Sequence, residues 1–485
     1  MSNIITLTTS DGQTISFVDE IKASGGMKDI YFSPNRDYVV GFFRSLADNE
    51  TKARLKDITG KYREKIFNPN AGGEYLKKLY CWPTAIVEWK GRLGVVSPFY
   101  SNHFFFQYGD MQGGEKNGKW FASAKLRHRH LDERELGNWQ THLKLCIMLA
   151  RAIRRMHFAG LSHSDLSYSN CLIDPLTGSA CLVDIDGLVV PGKHAPTVEG
   201  TPDFVAPEVL TKQATPNRKT DLHALAVLIY MYLLYRHPLR GSKVFDPNDS
   251  ERDEYLAMGE KALFIEHPTD KSNRINLKGV KPYELPWLDT NKIPYTITGP
   301  YLSKLFEQAF IDGLHNPDKR PSAEDWEIAL VKTVDLLQPC TNAQCSQKWY
   351  PFDNKKYPKC PFCGTSHTGK LPVLNIYSAT VGNKFKPDNH RIMVYRGQSL
   401  FKWHADKRIF PNEKISNEDA KRIGYFILHN GDYYLVNERL PDMLQIMPDG
   451  KKEIPIGDKV KLEDNVQIIL QQGNGGRLLH IQMAG

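Results

Sequence analysis

The sequence predicts an α+β chain: a strand-rich lobe, a helical lobe, a short cysteine-bearing module and a terminal all-β domain. Three observations carry this. Short alternating apolar runs divided by turn residues fill the first hundred residues, an apolar period near 3.6 dominates from about 138 to 335, and short alternating runs with turn dipeptides return beyond 370. At 485 residues the chain exceeds what one core usually organises, and boundaries are placed at 1-100, 101-337, 338-368 and 369-485.

In the first lobe, Ile4-Ile5-Thr6-Leu7, Thr14 to Phe17, Ile30-Tyr31-Phe32 and Tyr38-Val39-Val40 read as strands, separated by Asp11-Gly12, Gly25-Gly26 and Pro34-Asn35. Residues 50 to 66 are charged with apolar positions at helical spacing, so one helix is expected there; strands follow at 85 to 87 and 93 to 96, and the lobe ends near Tyr100. In the second lobe, Leu145, Met148, Leu149, Ala152, Ile153 and Met156 mark a helix stopped at Ala159-Gly160. Cys171-Leu172-Ile173 and Ala180 to Val183 then flank Thr177-Gly178 as a hairpin. The longest apolar run, Leu222 to Tyr235, is too short for a bilayer and contains His223, so it reads as a buried helix.

Composition narrows the function classes. The excess of 63 basic over 55 acidic residues is spread along the chain, with no cluster of Lys and Arg interleaved with aromatics, so no nucleic-acid partner is expected. The start Met1-Ser2-Asn3-Ile4 lacks the features of a secretory signal, which points to a cytoplasmic protein with no membrane association. Cys81, Cys146, Cys171 and Cys181 are scattered among apolar neighbours and read as reduced core residues. Cys340, Cys345, Cys360 and Cys363 form two knuckles whose thiolates suit a structural Zn2+, with Pro361 and Gly364 turning the second; disulfides are the alternative in an oxidising compartment.

The chemistry centres on His163-Ser164-Asp165-Leu166-Ser167-Tyr168-Ser169-Asn170, between a helix and a strand. This run resembles the catalytic loop of protein kinases, in which a carboxylate accepts the substrate hydroxyl's proton and an Asn five residues on holds a metal on the phosphates. The resemblance makes Asp165 the base and Asn170 an Mg2+ ligand. Asp184-Ile185-Asp186-Gly187 stands where kinases carry Asp-Phe-Gly; Asp184 is taken as the second Mg2+ ligand, with Asp186 the alternative register. Gly200 to Glu208 is similar to the peptide-substrate loop ending in Ala-Pro-Glu. By the same resemblance Thr201 contacts Asp165 and favours Ser/Thr substrates, Asp221 caps the following helix, and Arg320 pairs with Glu208.

The first lobe departs from that pattern. Ala23-Ser24-Gly25-Gly26-Met27-Lys28 resembles a glycine-rich ATP loop in which Ala23 and Lys28 replace the first and third Gly, and Tyr38 to Arg44 has no strand lysine. In one reading Lys28 supplies the phosphate-contacting cation from the loop, as in with-no-lysine kinases, with Ser24, Gly25, Gly26 and Met27 beside it and Glu64 as its helix partner; Arg44 is a weaker substitute. In the other, Lys28 is a solvated loop residue and the domain is a pseudokinase scaffold. Ser164 replaces the Arg that reads a loop phosphate in many kinases, so little dependence on modification of Thr197 or Thr201 is expected. Ser97-Pro98-Phe99-Tyr100 is the expected adenine hinge.

Taken whole, the chain resembles a bacterial eukaryotic-like Ser/Thr protein kinase followed by a zinc ribbon and a β tail, a combination similar to the kinase member of TerY-phosphatase-kinase triads associated with tellurite resistance. That resemblance implies ATP and Mg2+ as cofactors, a protein substrate, and a von Willebrand A-domain protein and a metal-dependent phosphatase as partners. A small-molecule phosphotransferase would share the Asp, Asn and Asp core but not the peptide loop. Ile454 to Leu462 and Val466 to Leu470 look faintly like the closing strands of a forkhead-associated sandwich, without a matching phosphate-reading set, so a β docking domain is expected.

Overall fold

In the computed structural model, which describes residues 3–24, 27–380 and 384–484, the alternating runs of the first hundred residues are strands. β1 (Ile4–Thr8) and β2 (Thr14–Val18) form a hairpin, and β3 (Ala23–Ser24), β4 (Lys28–Phe32), β5 (Tyr38–Phe43), β6 (Ala85–Trp89) and β7 (Arg92–Pro98) form an antiparallel sheet in the order β3-β4-β5-β7-β6. Strand alternation sends Tyr31 and Phe42 to one face. There Phe17 of the hairpin packs edge-on against Tyr31 at 5.3 Å and Trp89 at 5.1 Å. Such pairs add about 0.5–1.5 kcal/mol each beyond their buried area, so Phe17 fastens the hairpin to the sheet. The opposite face, with Ile30, Val39, Gly41 and Phe43, is left to line a cleft.

The single helix expected over 50 to 66 is broken. α1 (Asn49–Asp57) starts at Asp48, whose side chain accepts the Thr51 N–H, but it gives way to a wide turn, Ile58–Tyr62, and one last turn, Arg63–Ile66. Gly60, at φ −99 and ψ −107, is outside the helical region, a conformation that a residue without Cβ adopts cheaply. Residues beyond it therefore leave the face that α1 presents.

The helical lobe follows its periodicity. α2 (Trp139–Phe158) ends at Gly160, whose φ of 83 lets the Leu161 N–H turn back to the Met156 carbonyl at 3.0 Å. β8 (Cys171–Asp174) and β9 (Ser179–Leu182) form the expected hairpin, and α3 (Arg218–Leu234) is buried continuously from His223 onward, as an all-round apolar helix must be. Its cap is Asn217, closed by Thr220 in a capping box; Asp221 lies inside the first turn, so the expectation that Asp221 caps this helix is corrected.

The chain divides into two units: Met1–Gly137 with Lys144–Thr290 and Leu305–Glu327, and Asn138–Leu143 with Asn291–Lys304 and Ile328–Gly485. The first holds the strand-rich lobe and most of the helical lobe. α4 (Ala323–Asp335) leads to the hairpin of β10 (Leu337–Pro339) and β11 (Trp349–Pro351), which opens the cysteine module. Beyond it lie β12 (Leu371–Ala379), β13 (Phe385–Met393), β14 (Ser399–Phe401), β15 (Arg422–His429), β16 (Asp432–Asn437), β17 (Leu444–Met447), β18 (Gly450–Glu453), β19 (Lys459–Lys461), β20 (Gln467–Ile469) and β21 (Arg477–Ala484). They make two sheets, β13-β12-β21-β20-β17-β18 and β14-β15-β16-β19, around a core that includes Leu374, Phe426, Leu435 and Leu479. Asn430 and Gly431, both at positive φ, make the tight turn between β15 and β16. Among the described residues no helix is long and apolar enough to cross a membrane.

Candidate active site

The hairpin sets the spacing of the site. Pairing Cys171 with Leu182 leaves Asn170 opposite Val183, whose N–H donates to the Asn170 carbonyl at 3.0 Å, so Asp184 follows directly beside the end of the 163 to 170 loop. The hairpin turn is held from behind by the buried Lys116, which bonds Asp174 at 2.8 Å and Glu135 at 2.9 Å.

The loop itself is pinned by Asp221. One carboxylate oxygen accepts the His163 N–H at 2.8 Å and meets His157 Nε2 at 3.0 Å; the other accepts the Ser164 N–H at 3.1 Å. This support matters because Ser164 sits at φ 67, a left-handed conformation costing about 1–3 kcal/mol for a non-glycine residue. His163 Nε2 donates to the Val183 carbonyl at 3.1 Å, joining the loop to the strand end before Asp184, itself at φ 59.

Asp165 then receives three hydrogen bonds. Asn170 Nδ2 donates to its backbone carbonyl at 2.8 Å and to Oδ2 at 3.0 Å, and Thr201 Oγ1 donates to Oδ1 at 2.8 Å. Among the described residues nothing donates to Asn170 Oδ1. An amide oxygen and the Asp184 carboxylate are hard donors of the kind Mg2+ takes alongside substrate phosphates.

From the other lobe, Lys28 Nζ reaches Asp186 Oδ2 at 2.5 Å and Asp184 Oδ1 at 3.2 Å. Burial alone would depress this ammonium's pKa, but Asp186 and then Asp184 outweigh it and raise it above the usual lysine range. Burial would lift Asp184, yet Lys28 holds it below the usual carboxylate range; burial keeps Asp186 above it. The path of Lys28 across the sheet depends on Gly41: a Cβ there would stand 3.4 Å from Lys28 Cδ and 3.1 Å from Ile30 Cδ1. A glycine on β5 leaves the room through which the neighbouring strand's lysine passes.

Several expectations are corrected. Glu64 is exposed, lies beyond the Gly60 break and makes no ion pair among the described residues; the lysine's carboxylates are Asp184 and Asp186. Arg44 is turned from the cleft by Asp29, bonded at 2.9 Å, and by Ser24. Arg92, Ser24 and Arg44 together hold the Asp29 carboxyl down to about 2. Ser24 Oγ donates to Asp29 at 2.8 Å, Met27 is exposed at the cleft rim, and Gly25 and Gly26 lie outside the described residues. Cys81 is not a core residue: it lines the cleft, and burial pushes its thiol up to about 12.

The cleft has a volume of about 650 Å3, ample for a nucleotide. Val39, Val95 and Leu172 supply apolar walls, and Ser97, Tyr100 and Glu115 line it as well, with the Glu115 carboxyl raised by burial. Below the loop, Arg320 and Glu208 form a buried ion pair. In the second unit, Cys340 Sγ lies 3.5 Å from Cys363 Sγ and Cys345 Sγ 3.8 Å from Cys360 Sγ, all four within 4.8 Å of one another. Four sulfurs around Zn2+ at about 2.3 Å stand about 3.8 Å apart, so the set fits that ion.

Sequence reasoning missed Gly41, Glu115 and the lysine partnership of Asp186. The second carboxylate of Asp-Ile-Asp-Gly and the glycine inside an apolar strand were the available signals.

Comparison with known proteins covers most of the helical lobe. Residues 101–326 match the protein kinase domain family. Serine/threonine-protein kinase PknD of Chlamydia abortus is 30% identical over 135 residues, covering 22% of this chain and 14% of that protein. Developmentally-regulated protein kinase 1 of Dictyostelium discoideum is 30% identical over 125 residues (25% and 17%), and human serine/threonine-protein kinase H1 33% identical over 113 residues (19% and 26%). The matched segment thus spans from 14% to 26% of these relatives. The family match contains Asp165, Asn170, Asp184, Glu208, Asp221 and Arg320 and begins after Lys28.

Proposed function

We propose that this chain is an ATP-dependent protein kinase that transfers phosphate to Ser or Thr hydroxyls of protein substrates, with Lys28 in place of a strand lysine. The observation that carries the reading is one cleft holding Asp165 bonded to both Thr201 and Asn170, with Lys28 over Asp184 across from them. Asp165 orients the hydroxyl and accepts its proton, Thr201 and Asn170 hold that carboxylate, and Lys28 neutralises phosphate charge. Asn170 and Asp184 would hold Mg2+, which would supply neutralisation of phosphate charge when bound. Such a site works by position and electrostatics, which suits its rigid hydrogen-bonded frame.

Cys340, Cys345, Cys360 and Cys363 hold a structural Zn2+, and the β sandwich is a docking domain. The combination of these parts supports a place in a TerY-type triad in the cytoplasm, tied to tellurite resistance and acting with a von Willebrand A-domain protein and a metal-dependent phosphatase. The competing reading is a pseudokinase scaffold, favoured by the way Lys28 already neutralises the metal-binding carboxylate.

The test is incubation of purified protein with labelled ATP, Mg2+ and candidate protein acceptors, beside Asp165→Asn and Lys28→Ala. Transfer abolished in both variants is the expected result; binding of ATP with no transfer by the unaltered protein would establish the scaffold.

A further inference from the structure

Asp186 lines the cleft beside Lys28, and this reading leaves it without a task. We propose that Asp186 positions Lys28 for phosphate contact, so that the lysine's orienting carboxylate comes from the turn after β9 and not from a helix of the strand-rich lobe. The inference rests on the kinase reading.

The two carboxylates near Lys28 are not equivalent. Asp186 lies closer, at 2.5 Å against 3.2 Å, and its side chain is 10% exposed where that of Asp184 is 54%. Asp184 therefore faces the open cleft, where a metal and phosphates arrive, while Asp186 is closed in behind the ammonium. In that desolvated position a charge pair is stronger than at the surface, and Lys28 is the only cation paired with Asp186 among the described residues.

A buried side chain anchors the turn that follows Asp184. Asp184 opens a single 3-10 turn, Ile185–Gly187, and Ile185 between the two aspartates is buried to 1% exposure. The helix offers no substitute. On its cleft side α1 presents Thr51 and Arg54, and Arg54 is bonded to the Ala195 carbonyl at 2.6 Å and to Glu50 at 3.1 Å. Glu64 is exposed beyond the helix break.

A division of labour follows: Asp184 for the metal, Asp186 for the lysine. Because Asp186 is carried by the turn after β9, displacement of α1 does not take the lysine's partner away.

The experiment compares Asp186→Asn, Asp186→Glu, Asp184→Asn, Glu64→Ala, Lys28→Ala and the Lys28→Ala/Asp186→Asn double variant in the full chain. Three readouts are taken: phosphate transfer, Mn2+ binding with a non-hydrolysable ATP analogue by electron paramagnetic resonance, and the 15N resonance of the Lys28 ammonium. Misplacing the lysine by about 1 Å costs on the order of a hundredfold in kcat, so Asp186→Asn is expected to lose that much while still binding Mn2+, and to add nothing in the Lys28→Ala background. Asp186→Glu recovers part of the loss, Glu64→Ala transfers as the unaltered chain does, and Asp184→Asn loses Mn2+.

Loss of Mn2+ binding in Asp186→Asn equal to that in Asp184→Asn, or additive losses in the double variant, would overturn the assignment. The resonance decides independently of activity. A hydrogen-bonded Lys28 ammonium coupled to the Asp186 carboxyl in the unaltered chain supports the proposal even if no transfer occurs and the kinase reading fails. Its absence sinks the proposal even where transfer is seen and Asp186→Asn does not fold.

Discussion

Arg320 grips Glu208 with both ends of its fork, Nη1 to Oε1 at 2.7 Å and Nη2 to Oε2 at 2.8 Å, with 1% and 10% of the two side chains exposed. The same guanidinium donates to the carbonyls of Gly313, Leu314 and Lys219, so it ties the segment before α4 to the end of the 200 to 208 loop. Removing one partner of such a pair costs about 3–5 kcal/mol, because the other charge stays buried. Arg320→Met is expected to lower the unfolding free energy of the first unit, read from urea denaturation, by that amount. Arg320→Lys should recover little, since a single ammonium cannot bridge two oxygens and three carbonyls.

Thr201 Oγ1 holds one oxygen of Asp165 while Asn170 holds the other, which fixes the carboxylate plane. A hydrogen bond to a charged group contributes about 1.5–3 kcal/mol, equivalent to roughly ten- to hundredfold in rate. Thr201→Val should lower kcat within that range with the Mg2+ requirement unchanged, and Thr201→Ser should retain most of it. Steady-state kinetics at saturating ATP checks both.

What could be read from the sequence depended on distance along the chain. His163, Asp165, Asn170 and Asp184 surround one hairpin, so their spacing alone announced the loop, the strand pair and the adjoining carboxylate. Lys28 meets Asp184 and Asp186 across more than 150 residues, and no local pattern encodes which carboxylate a lysine from another lobe will reach. Glu64 was misread because a lone glycine is tolerated in a helical pattern, whereas Gly60 ends the helix here. Arg44 was misread because only the pairing of β4 with β5 brings Asp29 within its reach. Asp221 looked like a cap because it stands near a helix start, yet Asn217 and Thr220 already fill that role and leave Asp221 to hold the 163 to 170 loop.

The four thiols of the second unit stand at zinc spacing around a module with few other buried apolar side chains: Tyr350 accompanies the buried Cys345 and Cys360. Metal binding there would supply folding free energy to that module. Purified protein is expected to contain one Zn2+ per chain by elemental analysis. Cys345→Ser or chelation should lower the unfolding temperature and open the 340 to 363 segment to protease, with ATP binding by the first unit retained. A chain free of zinc and equally resistant to protease would remove the metal assignment.

Acid should weaken the second unit through a buried triad. Asp335 Oδ2 accepts from His390 Nε2 at 2.8 Å and His404 Nε2 at 3.3 Å. Burial lowers the His390 pKa, with Asp335 opposing and His404 and Arg477 adding to the effect; burial would raise Asp335, but His404 and His390 hold it below the usual carboxylate range. A histidine depressed in the folded state binds more protons unfolded, so its stabilisation is complete above about pH 6.5 and is lost as pH falls, at up to about 1.4 kcal/mol per pH unit. Asp335 adds a second loss below about pH 4. Denaturant unfolding at pH 7.5, 6 and 5 should show falling stability, and His390→Gln should flatten the slope over that interval.

Gly41 and Lys28 are neighbours on the cleft face of adjacent strands, and a Cβ at 41 would stand 3.9 Å from the Cβ of Lys28. A lysine rooted at either position therefore starts from nearly the same place and aims at the same two carboxylates. Gly41→Val should cost most of the activity while Lys28 remains, because the added branches fill the path that its side chain takes, already within 3.4 Å of the first added carbon. Moving the amine, by combining Lys28→Gly with Gly41→Lys, should restore transfer well above the level of Lys28→Ala alone. If the exchanged chain is as inactive as Lys28→Ala while binding ATP normally, the lysine's contribution depends on its own strand and not on delivering an ammonium to Asp184 and Asp186.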